Sequence, residues 1–254
     1  MRIGFIGIGK IASAVIEGLC TASIENLTIN VSPRNQENSK LLSEKYNSVN
    51  RMMDNQSVLD NSDIVIISLV FAIAKVELET LQFDTRHTVI SLIPLFRFDD
   101  LSRAVQPAGH VSRAIPLPPV ANHNCPIPVN NPNEVVLDLF GHLGRTSVIE
   151  NENELHTIWA LTGLVSPFYD MLQELSDWSV NNGVSRSIAN RYLADMYQAL
   201  AYTAQKSARI DFAGLSKHAA TPNGMNEQAG KELIQNGAHQ QYKIASDNLL
   251  KRFK

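Results

Sequence analysis

Residues 1–35 read MRIGFIGIGKIASAVIEGLCTASIENLTINVSPRN, and this stretch decides the fold. Its apolar start predicts a β-strand that turns at Gly7 and Gly9 and enters a helix at about Lys10. A second apolar strand is predicted at Leu27–Val31. Because two strands joined by a helix lie parallel in one sheet, the stretch predicts a βαβ unit.

The turn between this strand and its helix has the pattern G-x-G-x-x-A, formed by Gly7, Gly9 and Ala12. Gly7 permits a tight turn, and Gly9 has no side chain to keep a pyrophosphate away from the backbone. The free N–H groups and the dipole at a helix N-terminus favour an anion. We therefore predict a dinucleotide site in which Gly7, Gly9, Lys10 and Ile11 hold the pyrophosphate, the alternative being an ordinary glycine-rich turn.

The end of the second strand indicates which dinucleotide binds. NAD-binding folds usually place Asp or Glu there to accept a hydrogen bond from the ribose 2′-hydroxyl, whereas this chain has Ser32, Arg34 and Asn35. A guanidinium can hold a phosphate with two hydrogen bonds, and a hydroxyl and an amide can add others. We therefore expect NADP(H) as the cofactor, the alternative for Arg34 being a solvated loop arginine.

The bulk composition restricts the class of protein. The chain has 254 residues, 44% of them hydrophobic and 19% charged, which is typical of a globular protein with a sizeable core. Its net charge of −3 gives no electrostatic case for nucleic acid or a membrane surface. No apolar run fits a signal peptide or a membrane span, so a cytoplasmic protein is expected. Cys20 and Cys125 are too few for a disulfide framework, and His123 with Cys125 lacks a second pair at metal spacing, so no metal site is predicted.

Strand and helix patterns alternate over residues 1–150. Further strands are predicted at Asp63–Leu69, Thr88–Ile93, His110–Ile115 and Thr146–Ile149. Helices are predicted over residues 12–22, 36–46 and Val135–Leu143. This alternation predicts an α/β fold, a doubly wound parallel sheet of the Rossmann type, in a domain of residues 1–150. The many prolines between residues 116 and 132 predict an ordered loop or an edge segment.

Long helical patterns replace the strands after residue 150, over residues 152–182, 185–208 and 226–252. Residues 151–254 are therefore predicted to form an all-α domain. Its second helix has side chains at helical spacing that we interpret as a packing face, namely Ile188, Tyr192, Met196, Leu200 and Thr203. Because about 100 helical residues make a slim independent core, we predict that apolar faces pack against a second copy, in a homodimer or higher homo-oligomer.

The chain resembles the pyrroline-5-carboxylate reductase family at several places. Gly4–Ala14 resembles the family's opening, and Val31–Asn35 its NADP-recognition loop. Val111–Ala121 is similar to its R-x-M-P-N-T-P-A segment, and Thr221–Asn226 to its S-P-G-G-T-T substrate loop. The resemblance implies a Rossmann domain, a helical domain like that of 6-phosphogluconate dehydrogenase that interlocks in a dimer, and NADPH-dependent reduction of a cyclic imine, the chemistry of proline biosynthesis.

Three departures from the family motivate alternatives. Ala160–Tyr169 is one residue longer than the family's A-L-S-G-S-G-P-A-Y and has a bulky Leu164-Val165 pair. Met225 replaces a threonine that contacts substrate in the family, and Leu117-Pro118 replaces a polar pair. The alternatives are an NADP-linked reductase or dehydrogenase of a different small substrate on the same scaffold, and a non-catalytic NADP(H)-sensing protein.

The chemistry of imine reduction directs the remaining site predictions. The nicotinamide is expected at the carboxyl ends of the strands, near Leu69, Val70, Ile93, Pro94 and Pro116. A substrate carboxylate needs N–H and hydroxyl donors, which one loop and the start of the helix after it can offer. The predicted substrate-binding residues are Thr221, Asn223, Gly224, Met225 and Asn226. The alternative is that this loop is a simple helix cap. The predicted catalytic residues are Thr162, Ser166, Tyr169 and Asn226, and Lys217 and His218 are further candidates for the proton donor.

Overall fold

A computed structural model describes residues 1–207 and 209–253 of the chain. It separates into two compact units, Met1–Trp159 together with Phe253, and Ala160–Arg252. The division falls after Trp159, inside a helix, whereas the sequence pattern changes at residue 150, where the last strand signal ends. The predicted helical domain also included residues 208 and 254, which lie outside the described residues.

Within the described residues, the N-terminal unit is built on an eight-stranded sheet with the order β3-β2-β1-β4-β5-β6-β7-β8. The strands are β1 (Arg2–Ile6), β2 (Thr28–Val31), β3 (Val49–Arg51), β4 (Ile64–Ile67), β5 (Thr88–Ser91), β6 (His110–Ala114), β7 (Cys125–Asn130) and β8 (Gly144–Ile149). Strands β1 to β6 are all parallel, β7 is antiparallel to β6, and β8 is parallel to β7. The predicted doubly wound Rossmann sheet is confirmed, with the addition of β3 and β7, which the sequence patterns missed.

Helices cover both faces of this sheet, which is why its central strands are uniformly apolar. They are α1 (Lys10–Thr21), α2 (Gln36–Lys45), α3 (Asn55–Asp60), α4 (Phe71–Leu78), α5 (Phe98–Ala104), α6 (Glu134–Gly141) and α7 (Glu152–Leu161). The predicted helices match α1, α2 and α6 within about two residues, the usual scatter of helix ends. On one face Ile16 and Phe140 lie in a fully buried cluster, and on the other Leu59 and Leu101 do.

The proline-rich segment differs from the prediction of a loop or edge segment. Residues Pro118–Asn122 form a 3₁₀ helix, and Cys125–Asn130 form β7, which lies between β6 and β8 rather than at an edge. The carbonyl of Pro128 accepts a hydrogen bond from Ile115 on the β6 side. Because successive residues of a strand face opposite neighbours, Pro126 and Pro128 both lack their N–H on that side. The pairing of β7 with β8 therefore needs no proline N–H.

The C-terminal unit is helical, as predicted, but its helices are shorter than the patterns suggested. They are α8 (Val165–Asn181), α9 (Arg186–Lys206), α10 (Phe212–Ala219), α11 (Met225–Gln235) and α12 (Ala238–Leu250). A 3₁₀ turn at Thr162–Leu164 interrupts the predicted helix 152–182. Gly237, with φ of 70°, divides the predicted helix 226–252, because a left-handed residue ends a helix. The predicted end of the middle helix at residue 208 lies outside the described residues.

The helical unit buries little apolar surface. Among its described residues, the buried hydrophobic side chains are those of Ala160, Ala189 and Leu193. Large hydrophobic side chains are exposed along several of its helices, among them Phe168, Tyr169, Trp178, Ile188, Tyr192, Leu200, Phe212, Leu233 and Ile234. This small buried apolar area cannot offset the conformational entropy lost when so many residues become ordered. The exposed apolar side chains of the unit therefore need a further surface to cover them.

Candidate active site

The glycine turn after β1 is formed by backbone geometry that only glycine accommodates. Gly7 has φ of 93°, and a Cβ built on it would lie 2.4 Å from the carbonyl oxygen of Ser68. Its N–H donates to Oγ of Ser32 over 3.0 Å, which links the turn to the end of β2. The turn therefore brings the carboxyl ends of β1, β2 and β4 close together, where ligands bind in doubly wound sheets.

The start of α1 offers an open anion site. Gly9 is the N-cap, no side chain caps the first turn, and that turn contains no acidic residue. A Cβ built on Gly9 would meet no heavy atom within 4 Å, so the space above the helix end is empty of protein. The backbone amides of Lys10 and Ile11 belong to this first turn, whose N–H groups lack intrahelical acceptors. These features fit a dinucleotide pyrophosphate.

The loop after β2 contains the three residues predicted to recognise the 2′-phosphate. Ser32 is buried, and its hydroxyl is occupied by Gly7 N–H. Asn35 caps α2, and its side-chain amide donates to the carbonyl of Ile8 over 2.8 Å. Both side chains therefore shape the loop. Arg34 is exposed and extends from it, which leaves its guanidinium as the group best able to reach a phosphate.

Two charged residues beside this loop escaped the sequence analysis. Nη1 of Arg34 lies 3.7 Å from Oε2 of Glu77, and the side-chain amide of Asn55 donates to the other oxygen of that carboxylate. Arg51 ends β3, and its Nε donates to Oγ of Ser39 over 3.0 Å. No motif marks either residue: Glu77 belongs to a helix, and Arg51 to a three-residue strand, that the sequence patterns missed.

The residues predicted to lie beside the nicotinamide are at strand ends, but some of their backbone groups are already bonded. Val70 is exposed at the N-cap of α4, and Leu69 is half-buried. The N–H of Ile93 donates to Oγ of Ser91 over 3.1 Å. The carbonyl of Pro94 accepts from Arg113 over 2.8 Å. Pro116 is buried. Val70 and Pro94 are exposed, so they are better placed to contact a cofactor than the buried Ile93 and Pro116.

A buried charged cluster fixes the ends of β5 and β6. The fully buried guanidinium of Arg113 donates to Oε1 of Glu152, and it lies 5.1 Å from the ring of Trp159. Burial lowers the pKa of Arg113 to about 10, so it keeps its charge at neutral pH. Burial and the charge of Arg113 also lower the pKa of His156, so its neutral Nε2 can accept from Nη1 over 3.3 Å.

The predicted substrate loop forms a tight turn in the helical unit. The N–H of Gly224 donates to the carbonyl of Thr221 over 2.9 Å, and Asn223 has φ of 59°. Asn226 donates to the carbonyl of Ala219 over 3.1 Å, and Met225 is exposed. One bond was not expected: Oε2 of Glu227 accepts the N–H of Asn223 over 2.9 Å. A carboxylate of the protein thus already uses one donor predicted for the substrate.

The predicted proton donors are all in the helical unit. Thr162 begins the 3₁₀ turn, while Ser166 and Tyr169 lie on the first turns of α8 and are exposed. Lys217 and His218 are exposed in the last turn of α10. Hydrogen bonding to the backbone of Asn223 and to Lys231 lowers the pKa of Glu227, so this side chain is ionised at neutral pH.

Over residues 1–207 and 209–253, no group of three or more His, Cys, Asp or Glu side chains is arranged to hold a metal ion. No helix in that part of the chain combines the length and apolar character needed to cross a membrane. The thiols of Cys20 and Cys125 are free, and burial raises the pKa of both.

The fold and the open glycine turn define a dinucleotide-binding protein of the Rossmann type that also has a helical unit. Residues 2–94 match the family model described as NADP oxidoreductase, coenzyme F420-dependent, and residues 152–254 match the model described as pyrroline-5-carboxylate reductase dimerisation. A pyrroline-5-carboxylate reductase of Corynebacterium melassecola is 23% identical over 249 residues, which cover 92% of this chain and 91% of that protein.

Solved structures give the same result for the fold. The 1-pyrroline-5-carboxylate reductase of Streptococcus pyogenes is 22% identical, with a TM-score of 0.86 over 100% of this chain and 98% of that one. The Plasmodium falciparum pyrroline carboxylate reductase with NADP bound is 19% identical, with a TM-score of 0.87 over 100% of this chain and 97% of that one. An Aspergillus terreus reductive aminase in complex with NADPH is more distant, at 15% identity and a TM-score of 0.62 over 98% of this chain and 87% of that one.

The two units match two different family models, and a relative named pyrroline-5-carboxylate reductase spans nearly all of the chain. These matches confirm the resemblance to the pyrroline-5-carboxylate reductase family noted from the sequence. NADP(H) is confirmed as the cofactor, since the N-terminal unit belongs to a family of NADP oxidoreductases. The match of the N-terminal unit also identifies the chain as an oxidoreductase, and the match of the helical unit indicates that this unit mediates homo-oligomerisation.

The two glycines of the turn should respond differently to a methyl group. Gly9→Ala is expected to fold normally, because its Cβ would enter open space, yet to weaken NADPH binding by roughly 30-fold, the effect of about 2 kcal/mol of steric conflict with the pyrophosphate. Gly7→Ala should instead lower the free energy of unfolding by about 2 kcal/mol, because its φ of 93° disfavours a Cβ. Fluorescence titration with NADPH and urea unfolding separate the two effects. Equal losses of stability in both variants would contradict the open site at Gly9.

Proposed function

We propose that this protein catalyses NADPH-dependent reduction of the C=N bond of a small cyclic imine that carries a carboxylate, of the pyrroline-5-carboxylate type. The observation that supports this most is the open, uncapped glycine turn of a NADP oxidoreductase unit in one chain with a helical unit of the pyrroline-5-carboxylate reductase type. Neither unit alone would favour an imine over other substrates of nicotinamide enzymes.

In this proposal the N-terminal unit binds and orients the cofactor. The amides of Lys10 and Ile11 hold the pyrophosphate beside Gly9, and Arg34 holds the 2′-phosphate. When bound, NADPH supplies the hydride that reduces the imine carbon. The exposed Val70, together with Leu69, Ile93, Pro94 and Pro116, forms the strand-end surface assigned to the nicotinamide.

The helical unit is assigned to the substrate. The loop Thr221–Asn226 is proposed to receive the substrate carboxylate through its backbone amides and Asn226. A protonated imine already carries the proton that its nitrogen keeps after reduction, so the protein need only maintain that protonation. Thr162, Ser166 and Tyr169 are the hydroxyls assigned to this task, through direct contact or an ordered water.

We further propose that the functional assembly is a homodimer. A helical unit with so few buried hydrophobic side chains needs a second copy to cover Ile188, Tyr192 and Leu200, which are all exposed in one chain. The description of the matching family model as a dimerisation unit supports this occupant over an unrelated partner. Because a two-fold interface buries the same patch twice, one apolar helix face can serve both copies.

A different imine is the second candidate substrate. The ionised Glu227 already accepts the N–H of Asn223, and its charge would repel a substrate carboxylate at that end of the loop. Met225 adds an exposed apolar side chain beside it. Both features favour a less acidic imine, and the more distant structural relatives include an Imine Reductase from a Pseudomonas species, with a TM-score of 0.63.

The rate of NADPH oxidation by the purified protein distinguishes these candidates. With pyrroline-5-carboxylate we expect turnover with NADPH at least about 10-fold faster than with NADH, since the charged contacts to a 2′-phosphate are worth 1.5–3 kcal/mol. A cyclic imine without a carboxylate, such as 1-pyrroline, is the matched comparison. Faster turnover of 1-pyrroline would favour the second candidate. No turnover of either, with NADPH still bound, would contradict both and favour a cofactor-sensing protein.

A further inference from the structure

The end of β3 supplies a cation beside the cofactor loop that no motif marks. Arg51 pairs in register with Val31, the last residue of β2, so its backbone lies next to the point where the loop begins. Met52 continues this contact by donating its N–H to the carbonyl of Val31 over 3.0 Å. The backbone position of Arg51 is therefore fixed by its pairing in the sheet.

The side chain of Arg51 is held against the loop although it is exposed. Its Nε donates to Oγ of Ser39 over 3.0 Å, and Nη2 donates to the carbonyl of Pro33 over 3.3 Å. Ser39 is fully buried in α2, so it is a rigid support. A guanidinium has five N–H donors in a fixed plane, so these two bonds leave three for a ligand.

The charges around the loop favour a second cation. Arg34 is the cation predicted for the 2′-phosphate, but Glu77 lies 3.7 Å from its guanidinium and partly offsets its charge. The bonds of Arg51 run to a hydroxyl and a carbonyl, neither of which is charged. We infer that Arg51 is a specificity-determining residue that binds the 2′-phosphate of NADP(H) together with Arg34. This inference rests on NADP(H) as the cofactor but not on which imine is reduced.

The test needs no turnover and measures, by calorimetry on the full chain, the binding of 2′,5′-ADP and of 5′-AMP. The two ligands differ only by the 2′-phosphate. Arg51→Ala is expected to weaken 2′,5′-ADP binding roughly 10- to 100-fold, as for loss of a charged hydrogen-bonding group, and to change 5′-AMP binding less than about 2-fold. Arg51→Lys should recover part of the loss, because it restores the charge without the planar donors.

Two further variants show whether the held position of the Arg51 guanidinium matters or only the net charge of the chain. Ser39→Ala removes the support of Nε and should weaken 2′,5′-ADP binding by a smaller factor, roughly 3-fold, the effect of one neutral hydrogen bond. Lys45→Ala removes a cation at the far end of α2, where it pairs with Glu17, and should leave both affinities unchanged. The latter serves as the control for net charge.

The outcomes distinguish this inference from the proposed function. An unchanged affinity of Arg51→Ala for 2′,5′-ADP, with a loss in Arg34→Ala, would overturn it and leave Arg34 as the sole reader of the phosphate. Equal weakening of 2′,5′-ADP and 5′-AMP binding in Arg51→Ala would also overturn it, because the effect would then be on loop structure. A selective loss in Arg51→Ala would support it even if pyrroline-5-carboxylate were not a substrate.

Discussion

Replacing Glu152 by Gln is expected to lower the free energy of unfolding of the N-terminal unit by about 3 kcal/mol, because it leaves the buried guanidinium of Arg113 without its counter-ion. Arg113 is fully buried, and its remaining partners carry no charge that could balance its own; they are the carbonyl of Pro94, the neutral His156 and the ring of Trp159. The unfolding of this unit can be followed by the fluorescence of Trp159 in a Trp178→Phe background, since the chain has two tryptophans.

A double-mutant cycle shows whether the pair itself is responsible. Arg113→Met should cost less than Glu152→Gln, because an apolar side chain of similar size leaves no buried charge. The double variant should therefore be more stable than Glu152→Gln alone. Arg97 also faces Glu152, at 3.6 Å, but its side chain is 62% exposed, so Arg97→Ala should cost below about 1 kcal/mol. If Glu152→Gln lowered the free energy of unfolding no more than Arg97→Ala does, the importance of the buried pair would be contradicted.

The sequence predicted the geometry of the glycine turn because its determinants are local. The positive φ of Gly7, the open space at Gly9 and the uncapped start of α1 all follow from one short motif between a strand and a helix. The same is true of the parallel sheet, whose central strands are short apolar runs that can only be buried on both faces. Both could be predicted without knowledge of any distant contact.

The remaining features depend on contacts between distant residues. The link between Arg113 and Glu152 joins positions 39 residues apart, and Arg51 reaches Ser39 from a strand of three residues. Strand β7 contains two prolines, and only its position between β6 and β8 shows that the missing N–H groups face one side. Composition and periodicity report local preference, and they cannot indicate which side chains meet across the fold.

The helical unit shows the same limit in a different way. The sequence predicted a packing face at Ile188, Tyr192, Met196 and Leu200, and the structure places these side chains on α9. Within one chain Ile188, Tyr192 and Leu200 remain exposed and Met196 is half-buried, whereas the buried side chains of α9 are those of Ala189 and Leu193. Periodicity thus identified an apolar face, but only the structure shows that this face is not used within a single chain.

Replacing Ile188 by Glu is therefore expected to dissociate the proposed homodimer. The side chain is 63% exposed in one chain, and a second copy that covers it would have to bury the new carboxylate without a partner. A buried unpaired charge costs about 3–5 kcal/mol, which corresponds to a dissociation constant raised at least about 100-fold. Size-exclusion chromatography with light scattering should show twice the mass of one chain for the wild type and the mass of one chain for the variant.

Leu41→Glu is the matched control, because Leu41 is also a largely exposed aliphatic residue on a helix, at 58%, but in the N-terminal unit. It should leave the mass at two chains. Since the helical unit buries few hydrophobic side chains by itself, dissociation should also lower the thermal stability of its helices, measured by circular dichroism, while NADPH still binds the N-terminal unit. An Ile188→Glu protein that stays dimeric, or a monomer that keeps its full helicity and reductase activity, would contradict the proposal that a second copy completes this unit.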